Sequence, residues 1–111
     1  MTLLELKSVL KEAGIPVAHY EIVKTDYPYI IFQEFATTDK WASGQSYEEH
    51  IRVEIAHFTK IAFDPSLKKL KDALRKRKIG FTITHGFDPE DKCIINQFLI
   101  TIVDETEVAT N

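Results

Sequence analysis

Tyr47-Glu-Glu-His-Ile-Arg-Val-Glu-Ile-Ala-His-Phe-Thr-Lys-Ile-Ala-Phe-Asp-Pro-Ser-Leu-Lys-Lys-Leu-Lys-Asp-Ala-Leu-Arg-Lys-Arg-Lys-Ile79 decides the fold, because strand, cap and helix signals follow one another in it. Tyr47, Ile51, Val53 and Ile55 supply apolar side chains at odd positions, and Glu48, His50, Arg52 and Glu54 fill the even ones. That period of two predicts a half-buried strand. Asp64 then stands where an N-cap accepts orphan amide protons, and Pro65 where a missing N–H costs nothing. Leu67, Leu70, Ala73 and Leu74 recur at helical spacing among Lys68, Lys69, Lys71, Arg75, Lys76, Arg77 and Lys78, so a short, very basic helix follows, with Gly80 expected as its stop.

Working outward, Leu3, Leu6, Val9, Leu10 and Ala13 form a helical stripe, with Thr2 and Glu5 spaced as a capping box and Gly14 as the terminator. Pro16 opens an extended piece that ends in a short edge strand over His19–Val23. Tyr29–Ala36 is aromatic and β-branched on both parities, which predicts a strand covered on both faces. Thr37–Gln45 reads as the longest connection, ordered only on assembly, and joins that strand to the long one as a hairpin with an extended tip. Phe81, Ile83, His85 and Phe87 alternate with polar or small residues, and Asp88-Pro89-Glu90-Asp91 turns the chain into a strand over Cys93–Val103. In that last strand Ile94, Phe98, Ile100 and Ile102 lie on one parity and Ile95, Leu99 and Val103 on the other. It therefore lies between two layers or meets another subunit.

The expected architecture is α+β, two helices on one face of a four- to five-stranded, mostly antiparallel sheet in the order α-β-β-α-β-β. Its 111 residues suit one domain, taken as 1–103 with 104–111 as a flexible acidic tail. No apolar run approaches the roughly 20 residues of a membrane span, and the N-terminus does not read as a secretory signal. One cysteine, Cys93, excludes an intrachain disulfide and makes a reducing compartment the default. The net charge of −3 divides unevenly, with +5 over residues 64–78 and −8 elsewhere.

Enzyme signatures are missing. Four scattered glycines build no phosphate cradle, and neither a Cys-x-x-Cys nor a His-Glu-x-x-His is present. No cofactor, metal or catalytic residue is expected. One weak constellation is His85 with Cys93 and Asp88 or Asp91, which a hairpin could bring together; the alternative is an inert strand cysteine. His50 and His57 differ by an odd number on one strand, so they face opposite ways and cannot share an ion. The basic helix 65–78 invites a DNA-binding or regulatory reading through Lys68, Lys71, Arg75 and Lys78, but no aromatic is interleaved for stacking and the rest of the chain is acidic. Trp41, alone among small polar residues, either belongs to an interface or folds over its own hairpin.

Three further segments carry a resemblance: Met-Thr-Leu-Leu-Glu-Leu-Lys-Ser-Val-Leu-Lys-Glu-Ala-Gly-Ile-Pro-Val-Ala at the start, Tyr-Pro-Tyr-Ile-Ile-Phe at 27–32, and Arg-Val-Glu-Ile-Ala-His-Phe-Thr-Lys at 52–60 followed by Asp-Pro and a helix with Leu70, Ala73 and Leu74. Together they resemble the tail-completion, or tail-terminator, proteins of long-tailed phages and prophages of Gram-positive hosts. The resemblance implies a non-enzymatic structural protein of the virion neck, made in the host cytoplasm. It would form a ring, usually of six subunits, that caps the tail tube, meets the tail tube protein and head-connector proteins, and passes DNA through its lumen without touching a membrane. A head-closure stopper or adaptor is the alternative within the same biology. Trp41, Lys68, Lys71, Arg75, Lys78, Ile95 and Leu99 are the candidate interface residues.

Overall fold

A computed structural model describes residues 1–20, 26–42 and 46–107, with backbone alone at Ala42, Ser46, Tyr47 and 105–107. The described residues form α1 (Leu3–Leu10), a 3-10 turn over Lys11–Ala13, β1 (Val17–His19), β2 (Tyr29–Ala42), β3 (Ser46–Thr59), α2 (Pro65–Lys76), β4 (Thr82–Asp88) and β5 (Cys93–Glu107). The strands make one sheet in the order β1-β2-β3-β5-β4. It is mixed, because β1 runs parallel to β2 while the other three pairings are antiparallel. The fold is α+β, as the alternation of patterns predicts.

Both helices start as their signals dictate. The Thr2 hydroxyl accepts from the Glu5 amide at 3.1 Å, forming the N-cap, and donates to the Glu5 carboxylate at 3.3 Å, so the acid meets the cap's side chain and not its backbone amide as a full capping box would. Asp64 accepts from the Ser66 amide at 2.9 Å, with Pro65 at the first helical position. Gly14 takes the left-handed conformation after α1. After α2 that role falls to Lys78, not Gly80: Lys78 has φ +58°, its amide donates to the Arg75 carbonyl at 2.9 Å and the Ile79 amide to the Leu74 carbonyl at 3.0 Å. This is a Schellman closure, counted from the last helical turn and indifferent to a glycine two residues on.

The helices lie on the face from which the odd residues of β3 and the even residues of β5 project. Leu6, Leu10, Ile30, Phe32, Val53, Ile55, Leu70, Leu74 and Phe98 are fully or almost fully buried there. Each removes apolar area worth about 1.5–3 kcal/mol relative to exposure. The other face carries no helix among the described residues. β2 is therefore not covered on both sides: Ile30 and Phe32 are buried, while Gln33 and Phe35 are exposed. β5 is likewise not held between two layers, since Gln97, Leu99 and Thr101 are exposed.

Two strands are longer than their apolar patterns predict. β2 runs through Thr37-Thr38-Asp39-Lys40-Trp41 to Ala42, paired residue by residue with Ser46–Ile51, so most of the expected Thr37–Gln45 loop is strand; Ser43–Gln45 lie outside the described residues. β5 continues past Val103 to Glu107 along β3, and only 108–111 of the expected tail fall outside the described residues. Polar sequence conceals these segments, and ladder hydrogen bonds to β3 fix them. The expected edge strand at His19–Val23 is displaced to Val17–His19; Glu21–Val23 lie outside the described residues. The molecule measures 55 × 26 × 21 Å, and burial along β2 ends before Thr37, leaving a three-stranded arm beyond the helices.

Candidate functional site

Where β3 gives way to α2, five buried polar side chains form a network that the exposed His85 extends to the surface. The Thr59 hydroxyl donates to Asp64 Oδ2 at 2.7 Å, and the Ser66 hydroxyl donates to Asp64 Oδ1 at 2.7 Å. A carboxylate only accepts, so the Ser66 oxygen is left to accept from His57 Nε2 at 2.8 Å. His57 Nδ1 then accepts from Asn96 Nδ2 at 3.2 Å, and Asn96 Oδ1 accepts from His85 Nδ1 at 2.6 Å. Every donor points toward Asp64, and no buried side-chain polar atom among the described residues lacks a partner. Burial would raise the Asp64 carboxyl, but hydrogen bonds from Thr59 and Ser66 outweigh it and hold the group below its ordinary range. Burial pushes the His57 imidazole down, against the attraction of Asp64. The imidazole is accordingly neutral at pH 7.

A serine, a histidine and an asparagine in line suggest nucleophilic catalysis, but the proton directions oppose it. Ser66 gives its proton to Asp64 instead of to the imidazole, and it is only 6 % exposed. A base that is already donating to the nucleophile cannot activate it. What this arrangement does is hold the corner Lys60–Phe63 in one shape.

That corner projects apolar groups. Phe63 is 98 % exposed at φ +59°, and Ile61 is 57 % exposed. A left-handed conformation costs a bulky residue about 1–2 kcal/mol, and here the ring recovers none of it by burial within the chain. Beside it a hollow of about 390 Å³ is lined by Ile61, Phe63, Leu67, Ile94, Lys71 and Asn96, among others. On the helix-free face a second hollow of about 430 Å³ lies among Phe35, Arg52, Phe81 and Leu99. The β2 bulge at Phe35 sets that ring 5.7 Å from the Arg52 guanidinium.

The sequence-predicted residues fall in three places and are not brought together. Trp41 is 72 % exposed at the far end of β2, opposite Tyr47. Lys68 is exposed on α2 and Lys71 lines the corner hollow, while Lys78 is exposed at the helix end. Arg75 is engaged within the chain, 3.9 Å from Asp72 and over the Phe81 ring at 5.5 Å. Leu99 is half exposed and Ile95 half buried, both on the helix-free face. His85 and Cys93 do not meet: His85 pairs with Asn96, and buried Cys93 sits opposite Asp88 with its side chain on the other parity. His50 bonds to Glu48 at 2.9 Å, and the described residues hold no group of three potential metal ligands.

Sequence reasoning missed Phe35, Ile61, Phe63, Phe87 and the network itself. Parity carried part of the signal, since His57 and Asn96 are polar residues on the buried phase of their strands. No protein-family model matches the chain, and no curated protein matches it.

Proposed function

We propose that this chain is a non-enzymatic assembly subunit of the tail-completion or tail-terminator type. Copies of it associate into a ring, of six subunits by the family resemblance, that caps a phage tail tube and joins it to the head connector, with DNA passing through the lumen. The observation that supports the reading best is the mismatch between the sheet and its cover. Two short helices cover part of one face of a sheet whose three longest strands run 14–15 residues. Large apolar side chains stand exposed on what remains: Trp41 on the arm, Phe35 and Leu99 on the helix-free face, Ile61 and Phe63 at the corner, Phe87 on the edge strand. Phe35 and Leu99 line one hollow together with Phe81, and Ile61 and Phe63 line another with Leu67; exposed apolar groups clustered in this way mark association surfaces. The partners are further copies of the chain, the tail tube protein and the head-connector proteins, and the place of action is the virion neck.

Electron micrographs of tails assembled with and without the protein test this reading. With it, tails are uniform in length and joined to heads. Without it, tubes of uncontrolled length or tails free of heads are expected, and unchanged particles would end the proposal.

A further inference from the structure

The two ends of the long axis carry complementary chemistry. In the arm, the register places Asp39 opposite Glu49, Lys40 opposite Glu48, and Glu49 opposite Asp104, with Trp41 one position beyond Lys40. Asp39, Glu48, Glu49 and Asp104 thus share the arm with the single ammonium of Lys40 among the side chains described there. At the other end of β3, the corner presents Phe63 and Ile61 around a hollow of about 390 Å³, which is within the size range of ligand pockets. Lys71 lines that hollow, and Lys68, outside its lining, is exposed next in sequence to the lining residue Leu67. Neither lysine makes an ion pair with a described residue. The Lys60 ammonium, by contrast, is committed to the Asp91 carbonyl and the Tyr27 ring.

The corner is held firmly. Thr59, Asp64, Ser66, His57 and Asn96 hydrogen-bond behind it, so Phe63 stays at positive φ with its ring in solvent. A strained aromatic kept outward by a fully satisfied network points to a surface with a purpose. The arm and the corner differ from one another, so a contact between them is heterologous and propagates from copy to copy.

We infer that the acidic, Trp41-bearing arm of one copy seats on the Phe63 corner of the next, with the indole against Ile61, Phe63 and Leu67, and with Asp39 and Glu49 meeting Lys68 and Lys71. The inference rests on the self-assembly reading above and adds which surfaces meet. Glu90 and Asp91 in the β4–β5 turn share the corner's end of the molecule. On α2 beside the hollow, however, Lys68 and Lys71 are the unpaired charges, and these facing the arm's carboxylates favour this pairing over arm-to-arm contact, which sets like charges together.

Trans-complementation tests it. Two variants are made, Trp41→Ser in the arm and Phe63→Asn at the corner; both sites are exposed, and Asn tolerates positive φ, so folding is retained and is checked by thermal melting. Sedimentation velocity is run on wild type, on each variant and on their equimolar mixture. Wild type is expected to form large species, and each variant to associate about 30-fold more weakly or worse, the minimum for losing a central interface Trp. The mixture is expected to recover dimers alone, because one intact arm meets one intact corner and the chain of contacts stops there. Lys68→Glu with Lys71→Glu should fail likewise, and should recover when mixed with Asp39→Lys, Glu49→Lys copies. A variant at either end that assembles like wild type assigns that end to another occupant and overturns the pairing while leaving self-assembly standing. A mixture that stays monomeric also overturns it. Wild type that never associates overturns the pairing and the self-assembly reading together.

Discussion

Removing the Asp64 carboxylate should cost more stability than any other single change at the β3–α2 corner. In Asp64→Ala three bonds go at once: the cap to the Ser66 amide, and the acceptors of the Ser66 and Thr59 hydroxyls. Losing an N-cap costs about 1 kcal/mol, and a buried hydroxyl left without its acceptor costs about 1–3 kcal/mol. Thr59 has a fallback, the Ile61 carbonyl at 3.4 Å, which reduces its share. The expected loss is about 3 kcal/mol, or about 13 °C in Tm for a chain of this length. Asp64→Asn keeps the cap and one acceptor, and should lose about half as much. Urea denaturation of the three proteins checks both values through the midpoint at constant slope. The folded carboxyl sits below its ordinary range, so its contribution is full above the unfolded pKa and is lost as pH falls through the folded one. The gap between wild type and Asp64→Asn must therefore narrow in acid. A loss below 1 kcal/mol for Asp64→Ala, or a gap independent of pH, would refute the network as the corner's support.

Other expectations concern single positions. His57 is held neutral by burial, so below pH ~6.5 the unfolded chain binds the extra proton and stability falls with pH until the folded pKa is passed; NMR titration should put the His57 midpoint below the ordinary imidazole value, and a midpoint at or above it contradicts the burial argument. Lys78→Gly removes a left-handed strain of about 1–2 kcal/mol and restores about half of it as glycine entropy, so a net gain of about 0.5–1 kcal/mol in thermal melts is expected, and destabilisation would contradict the Schellman closure. Lys68→Glu with Lys71→Glu should leave DNA mobility in a gel unchanged from wild type; a salt-sensitive shift in wild type that the pair abolishes would favour the nucleic-acid reading of α2.

The parts of this fold that were legible are those specified locally. The Thr2 cap, Asp64-Pro65 and the alternation of β3 each involve residues a few positions apart, and each forms where expected. The arm was not legible: Thr37-Thr38-Asp39-Lys40 has no apolar phase and is strand because β3 lies beside it. Lys78 stood in for Gly80 because helix closure follows hydrogen-bond count before residue preference. Of the site, Trp41 and Leu99 could be named from composition and parity. The corner could not, since Ile61 and Phe63 resemble ordinary core residues until Asp64, Ser66 and His57 are seen to hold the backbone that turns them outward.

The most direct measurement is sedimentation velocity of the purified protein over a wide concentration range, paired with native mass spectrometry. The account predicts a concentration-dependent shift from monomer to one closed species of fixed stoichiometry, weakened by Trp41→Ser. A monomer at every concentration and salt, with Trp41 and Phe63 still exposed to solvent, would contradict it.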